Sequence, residues 1–132
     1  AIRAAETLGA ELAYVGTAFI ACEESIADLA YKEMVVGASA EDILPSKGIT
    51  GVTANWLRQS LIAAGYDPAN MPEDKKPNFE NTNDNSKAWK NVWSAGQGVG
   101  AVTAVEPIAQ IVARLKAEYD FACKLPRFDM KE

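Results

Sequence analysis

Residues 10–25 constrain this 132-residue chain most, because they set a short apolar run directly before a glycine, a hydroxyl residue and a helix-forming segment. Leu12, Ala13, Tyr14 and Val15 form the one convincing strand pattern, too apolar and too short for anything but an interior position in a sheet. Gly16 and Thr17 follow, then a helix opened by Glu23, Glu24 and Ser25. A glycine at the carboxyl end of a strand lets backbone N–H groups approach a ligand with no side chain in the way, and the threonine adds a hydroxyl donor. A phosphate group suits such a turn. The same order also describes an ordinary connection between strand and helix with no ligand, so these residues alone leave both readings open.

A parallel strand buried on both faces needs neighbours for its backbone groups, and no other stretch offers one as clear. The expectation is a piece of a larger protein, entered inside a helix in which Ile2, Ala5 and Leu8 share a face. A net charge of -5 with no cluster of lysine or arginine argues against nucleic acid and against an anionic membrane surface, and no apolar run is long enough to span a bilayer. Small molecules and proteins remain as partners. The absence of histidine removes Ser-His-Asp and Cys-His catalysis and histidine-ligated zinc. Cys22 and Cys123 have no metal-ligand spacing; they read as reduced thiols of a cytoplasmic protein, packed as small hydrophobes, and no metal site is expected.

Along the chain, Gly9 stops the first helix, and the next runs from residue 23 or 25 to 36, with Ser25 and Asp28 spaced as a capping box. Residues 38–52, with Pro45, Gly48 and Gly51, read as irregular or a short helical turn, and Lys47 as a solvated lysine. Thr53 is the predicted cap of a helix in which Trp56, Leu57, Ser60, Leu61 and Ala64 recur at helical spacing until Gly65; Trp56 reads as core. Residues 73–87 are the most polar stretch, expected as a mobile loop, and 86–93 as a short helix. The run Gly96-Gln97-Gly98-Val99-Gly100 follows no clear strand and opens no helix, which excludes a dinucleotide-binding turn; its glycines suit close approach to a flat ligand or another segment. Pro107 opens the best amphipathic helix, to about residue 122, and the tail from 124 is expected to be loosely held.

Three blocks resemble a known family in its order: Gly16-Thr17-Ala18-Phe19 with Glu24-Ser25, Thr50-Gly51-Val52-Thr53-Ala54-Asn55-Trp56-Leu57-Arg58, and Trp93-Ser94-Ala95-Gly96-Gln97-Gly98-Val99-Gly100. They are similar to the carboxyl-terminal part of the nitronate monooxygenases, formerly called 2-nitropropane dioxygenases. The resemblance implies an α/β protein: part of an FMN-binding (β/α)8 TIM barrel plus a largely helical second domain, with this segment itself mostly α. Residues 1–36 would then end the barrel with its last strand and helix. Residues 37–92 would form the helical substrate domain, and 93–132 a flavin-proximal loop and a helix returning to the barrel.

On the same resemblance, Gly16 and Thr17 bind the FMN phosphate, Tyr14 and Val15 line the site, and Ser94, Gly96 and Gln97 lie near the flavin. The family's catalytic histidine precedes this region, so no catalytic residue is expected here, and the chain alone is expected to be inactive. The implied reaction of the complete protein is oxidation of an alkyl nitronate or nitroalkane, with oxygen reoxidising the flavin. Its implied partners are that small-molecule substrate, oxygen and the upstream part of the same protein, with homo-oligomer formation left open. Two alternatives stand beside it: a flavin-dependent enoyl-acyl carrier protein reductase of the same superfamily, and a non-enzymatic helical binding or assembly module.

Overall fold

A two-stranded antiparallel hairpin organises the computed structural model, which describes residues 1–73 and 92–125. Strand β1 (Ile43–Ser46) pairs with β2 (Ala54–Leu57) in the register Ile43↔Leu57, Leu44↔Trp56, Pro45↔Asn55 and Ser46↔Ala54. Between them Gly51 takes φ +80° and its N–H donates to the Lys47 carbonyl at 2.7 Å, closing a turn that a side chain would strain. The sequence led to irregular structure here and a helix from Thr53. Trp56 and Leu57 instead point to opposite faces of β2, and helix α4 (Arg58–Ala63) begins only after them. Adjacent large apolar residues fit a strand buried on both faces as well as a helix, which is why spacing misled at this point.

That alternation divides two cores. Leu57 packs with Ala21, Val35, Ile43, Ala95, Val99 and Val102, while Trp56, wholly buried, packs with Ile49, Leu61 and Val92. The Trp56 indole N–H donates to the Ser46 carbonyl (3.0 Å), so its one polar atom is satisfied inside the hairpin. On the free edge of β2, Trp56 and Ser94 form an antiparallel bridge, and the Leu57 N–H donates to the Trp93 carbonyl (2.9 Å).

Five helices among the described residues surround this frame. α1 (Ile2–Thr7) buries no residue and ends at Gly9, whose φ of +94° matches the expected left-handed stop. The short α2 (Thr17–Ile20) follows Gly16 directly, and α3 (Leu29–Val36) starts after Asp28. The predicted capping box at Ser25 does not form. The Ser25 hydroxyl accepts the Ala27 N–H (3.1 Å) in a local turn that competes with helix, so Ile26 stays in the connection, fully exposed. After α4 and the 3-10 turn Gln97–Ala101, Pro107 opens α5 (Ile108–Lys124), close to expectation.

The expected strand at residues 12–15 is not one. It has no pairing among the described residues, and Leu12 and Tyr14 are 91% and 100% exposed. A strand exists only through neighbours, and the hairpin lies elsewhere in the chain. Cys22 is buried as expected, but Cys123 is exposed, because it stands on a helix whose only buried residue is Ile111. Val92 and Trp93 belong to no helix; residues 86–91 of that predicted helix, all of the predicted 73–87 loop but Glu73, and the tail beyond Leu125 lie outside the described residues. The described chain is therefore a mixed α/β structure, and no helix in it is long and apolar enough to cross a membrane.

Candidate functional site

Three segments far apart in sequence meet at one open hollow of about 300 Å³. Gly16, Thr17 and Ile20 come from the start of α2, Ala54 and Asn55 from β2, and Ser94, Ala95 and Gly96 from the segment beside β2. The contact that joins them is the Gly96 N–H, which donates to Thr17 Oγ1 at 2.9 Å across 79 residues. A Cβ on Gly96 would stand 3.3 Å from that oxygen, a tight contact that would push the Thr17 hydroxyl back by a few tenths of an ångström. Thr17 accepts this bond and keeps its own O–H for another acceptor.

Gly16 poses a different question. Its φ of -107° suits any residue, and a Cβ there would meet only Tyr14 Cε1, at 3.9 Å. Neither conformation nor packing within the described residues demands glycine, so what its missing side chain provides is open space over the backbone. A phosphate ester fits that arrangement: exposed backbone at the start of α2, a hydroxyl with a proton to give, and small residues around them.

Ser94 is held from α3. The Tyr31 hydroxyl donates to the Ser94 carbonyl and accepts the Ser94 N–H (3.3 Å), and the Tyr31 ring stacks on Trp93 with centroids 5.0 Å apart and planes within 9°. From below, the Trp93 N–H donates to the buried Ser60 hydroxyl at 2.7 Å. Backbone at residues 93–96 is thus fixed by α2, α3, α4 and β2 together.

Of the residues singled out in the sequence, Gly16, Thr17, Ser94 and Gly96 line the hollow. Tyr14, Val15 and Gln97 do not, although the Gln97 side chain accepts a hydrogen bond from Asn55 (3.2 Å), which does. Asn55, Ala54, Ala95 and Ile20 went unmarked. Asn55 stood inside one of the three resembling blocks, and only its place on a strand rather than a helix brings it here. The glycine-rich run forms the 3-10 turn and not a strand-turn-helix, in agreement with excluding a dinucleotide site. No group of three or more acidic or cysteine side chains among the described residues could hold a metal ion.

Comparison of the sequence with known proteins points to one family. The model of the nitronate monooxygenase family matches residues 1–118. A nitronate monooxygenase of Paraburkholderia phytofirmans is 39% identical over 67 residues, 51% of this chain and 18% of that protein. A probable nitronate monooxygenase of Bacillus subtilis is 26% identical over 129 residues, 89% of this chain and 36% of that protein. Among solved structures, FabK from Thermotoga maritima superposes with a TM-score of 0.65 at 23% identity, over 93% of this chain and 41% of that one. Its M276A mutant gives 0.63 at 25% identity, over 92% and 37%. The chain therefore spans well under half the length of each of these relatives, and it belongs to the nitronate monooxygenase family.

Proposed function

We propose that the protein carrying this chain is an FMN-dependent nitronate monooxygenase that oxidises alkyl nitronates with oxygen, and that this chain supplies the phosphate end of its flavin site. Family membership supports the reaction class. The observation that carries the site is the bond from the Gly96 N–H to Thr17 Oγ1, which ties two of the resembling blocks into one hollow. In this reading residues 1–36 belong to a barrel, 37–92 to a substrate domain, and 93–132 return to the barrel.

When bound, the flavin supplies the electron acceptance that oxidation of a nitronate requires. The chain's own residues do the holding. Thr17 donates its hydroxyl proton to a phosphate oxygen, Gly16 leaves backbone accessible to it, and Ser94 and Gly96 form a wall without bulk. With no histidine in the sequence, the group that moves the substrate proton is assigned to residues outside this chain.

The test is to assay the chain alone and joined to the remainder of a family-length protein. Flavin-dependent nitronate oxidation is expected only from the joined form, with FMN affinity lowered by Thr17→Ala and far more by Gly16→Val. Turnover by the chain alone, or undiminished FMN binding by Gly16→Val, would overturn the reading. A second reading, the enoyl-acyl carrier protein reductase of the same superfamily, is kept because two solved structures of similar fold carry another name, FabK. The choice of electron donor and acceptor separates the two.

A further inference from the structure

Strand β2 brings to the hollow a polar side chain that no sequence motif marked. Alternation sends Trp56 into the second core and sets Asn55 on the face of Leu57, towards α2 and the 3-10 turn. There Asn55 Nδ2 donates to Gln97 Oε1 at 3.2 Å, across 42 residues. An amide tethered through one N–H has its orientation set: the second N–H and Oδ1 remain, and no other bond among the described residues engages them. The rest of the lining carries no charged side chain. A dianion in such a hollow meets neutral donors alone, so a single amide N–H matters more than it would beside a lysine.

We propose that Asn55 contacts the phosphate ester of the flavin, giving its remaining N–H to a phosphate oxygen next to the Thr17 hydroxyl, and that Gln97 is a positioning residue acting through Asn55. This rests on the hollow being a flavin phosphate site, and it moves Gln97 from a flavin contact to a support for one. The register Pro45↔Asn55 makes the placement rigid, because β1 holds the backbone from which Asn55 projects.

Nuclear magnetic resonance titration of the chain with FMN and with riboflavin, at millimolar concentrations that reveal weak binding, tests it. With FMN, the backbone N–H signals of Thr17 and Gly96 and the side-chain amide of Asn55 are expected to shift together; with riboflavin, which lacks the phosphate, the Asn55 signal stays. Movement of Thr17 and Gly96 without Asn55 overturns this inference and leaves the phosphate reading intact. No movement of Thr17 or Gly96 overturns the phosphate reading and this inference with it. Asn55→Asp is expected to lower FMN affinity about tenfold by placing an anion beside the phosphate, with riboflavin affinity unchanged. Gln97→Ala should lower FMN affinity about threefold, and not at all in an Asn55→Ala background. Equal losses in both backgrounds would show that Gln97 acts independently and overturn its positioning role.

Discussion

The hairpin with its flanking segments and the pair α1 and α5 are built from similar apolar patterns, yet they end in opposite environments. Around the hairpin, Trp56, Leu57, Leu61, Ile49 and Val99 are almost wholly buried. Across α1 and α5 the same kinds of residue leave only Ile111 buried, with Val112 and Phe121 exposed. What joins α1 to α5 is polar: Tyr119 donates to Glu6 at 2.9 Å, and Glu6 pairs with Arg3. α5 is fastened in turn by Glu24, whose carboxylate oxygens accept the Ile108 N–H at 2.9 and 3.1 Å, and by the Arg114–Glu106 pair. An amphipathic period tells which face seeks cover; it does not tell whether the cover lies in the same stretch of chain.

The sharpest way to break the contrast is to exchange one large side chain buried at the hairpin and one exposed between α1 and α2. Trp56→Ala is expected to cost about 3–5 kcal/mol in urea unfolding, since its burial is complete and its indole N–H bond to Ser46 is lost with it. Leu12→Ser, at a fully solvated position, should change stability by less than about 0.5 kcal/mol. Comparable losses from the two would mean that residues 12–15 are covered in solution.

A smaller loss is expected from Ser60→Ala. The Trp93 N–H would lose its acceptor in a buried place, at about 1–3 kcal/mol, and the Trp93 segment that carries Ser94 should loosen measurably in amide exchange. Glu24→Ala should cost about 1 kcal/mol as a lost helix cap, and the exchange it raises should be confined to the first turn of α5. If protection fell across the hairpin as well, the two regions would not be separable.

The least effect concerns pH and only the outer region. Bonding to the Glu6 carboxylate, then to Cys123, raises the Tyr119 hydroxyl from its ordinary 10 to about 12. A raised value means that the contribution is full below pH 10 and fades as pH climbs from 10 to 12. Glu6, held below its usual 4.5 by Arg3 and then by Tyr119, gives a contribution present above that value and lost as pH falls beneath it. Protection of the α1 amides, taken relative to their intrinsic exchange rates, should therefore fall at both extremes while the hairpin holds, and Tyr119→Phe should remove the alkaline loss.

Much of the polar and turn chemistry was legible in the sequence, and most of the pairing was not. Gly9, Gly65, Pro107 and the core position of Trp56 could be read locally because their causes are local: left-handed backbone at the two glycines, a fixed φ at proline, the size of an indole. The hairpin was missed because Trp56 and Leu57 satisfy helix and strand alike, and the register that decides between them lies in the partner, β1. Gly16 and Thr17 stood out as a turn, and Ser94 and Gly96 through resemblance, but no periodicity foretells that the four would meet in one hollow. Tyr14 and Val15 were assigned to the site by the same resemblance, as the end of a strand that has no pairing among the described residues. Asn55 was hidden by the same error that turned β2 into a helix.

The bond between Thr17 and Gly96 also dates the hollow within the folding process. Its two ends are 79 residues apart, so the chain must first close a loop whose entropic cost is repaid only once β2 and the 93–96 segment have docked. Mutations there should leave the folding rate nearly untouched and speed unfolding instead, the behaviour of contacts made after the transition state. A ligand seated in the hollow would likewise act as a latch on the finished molecule rather than as a template for making it.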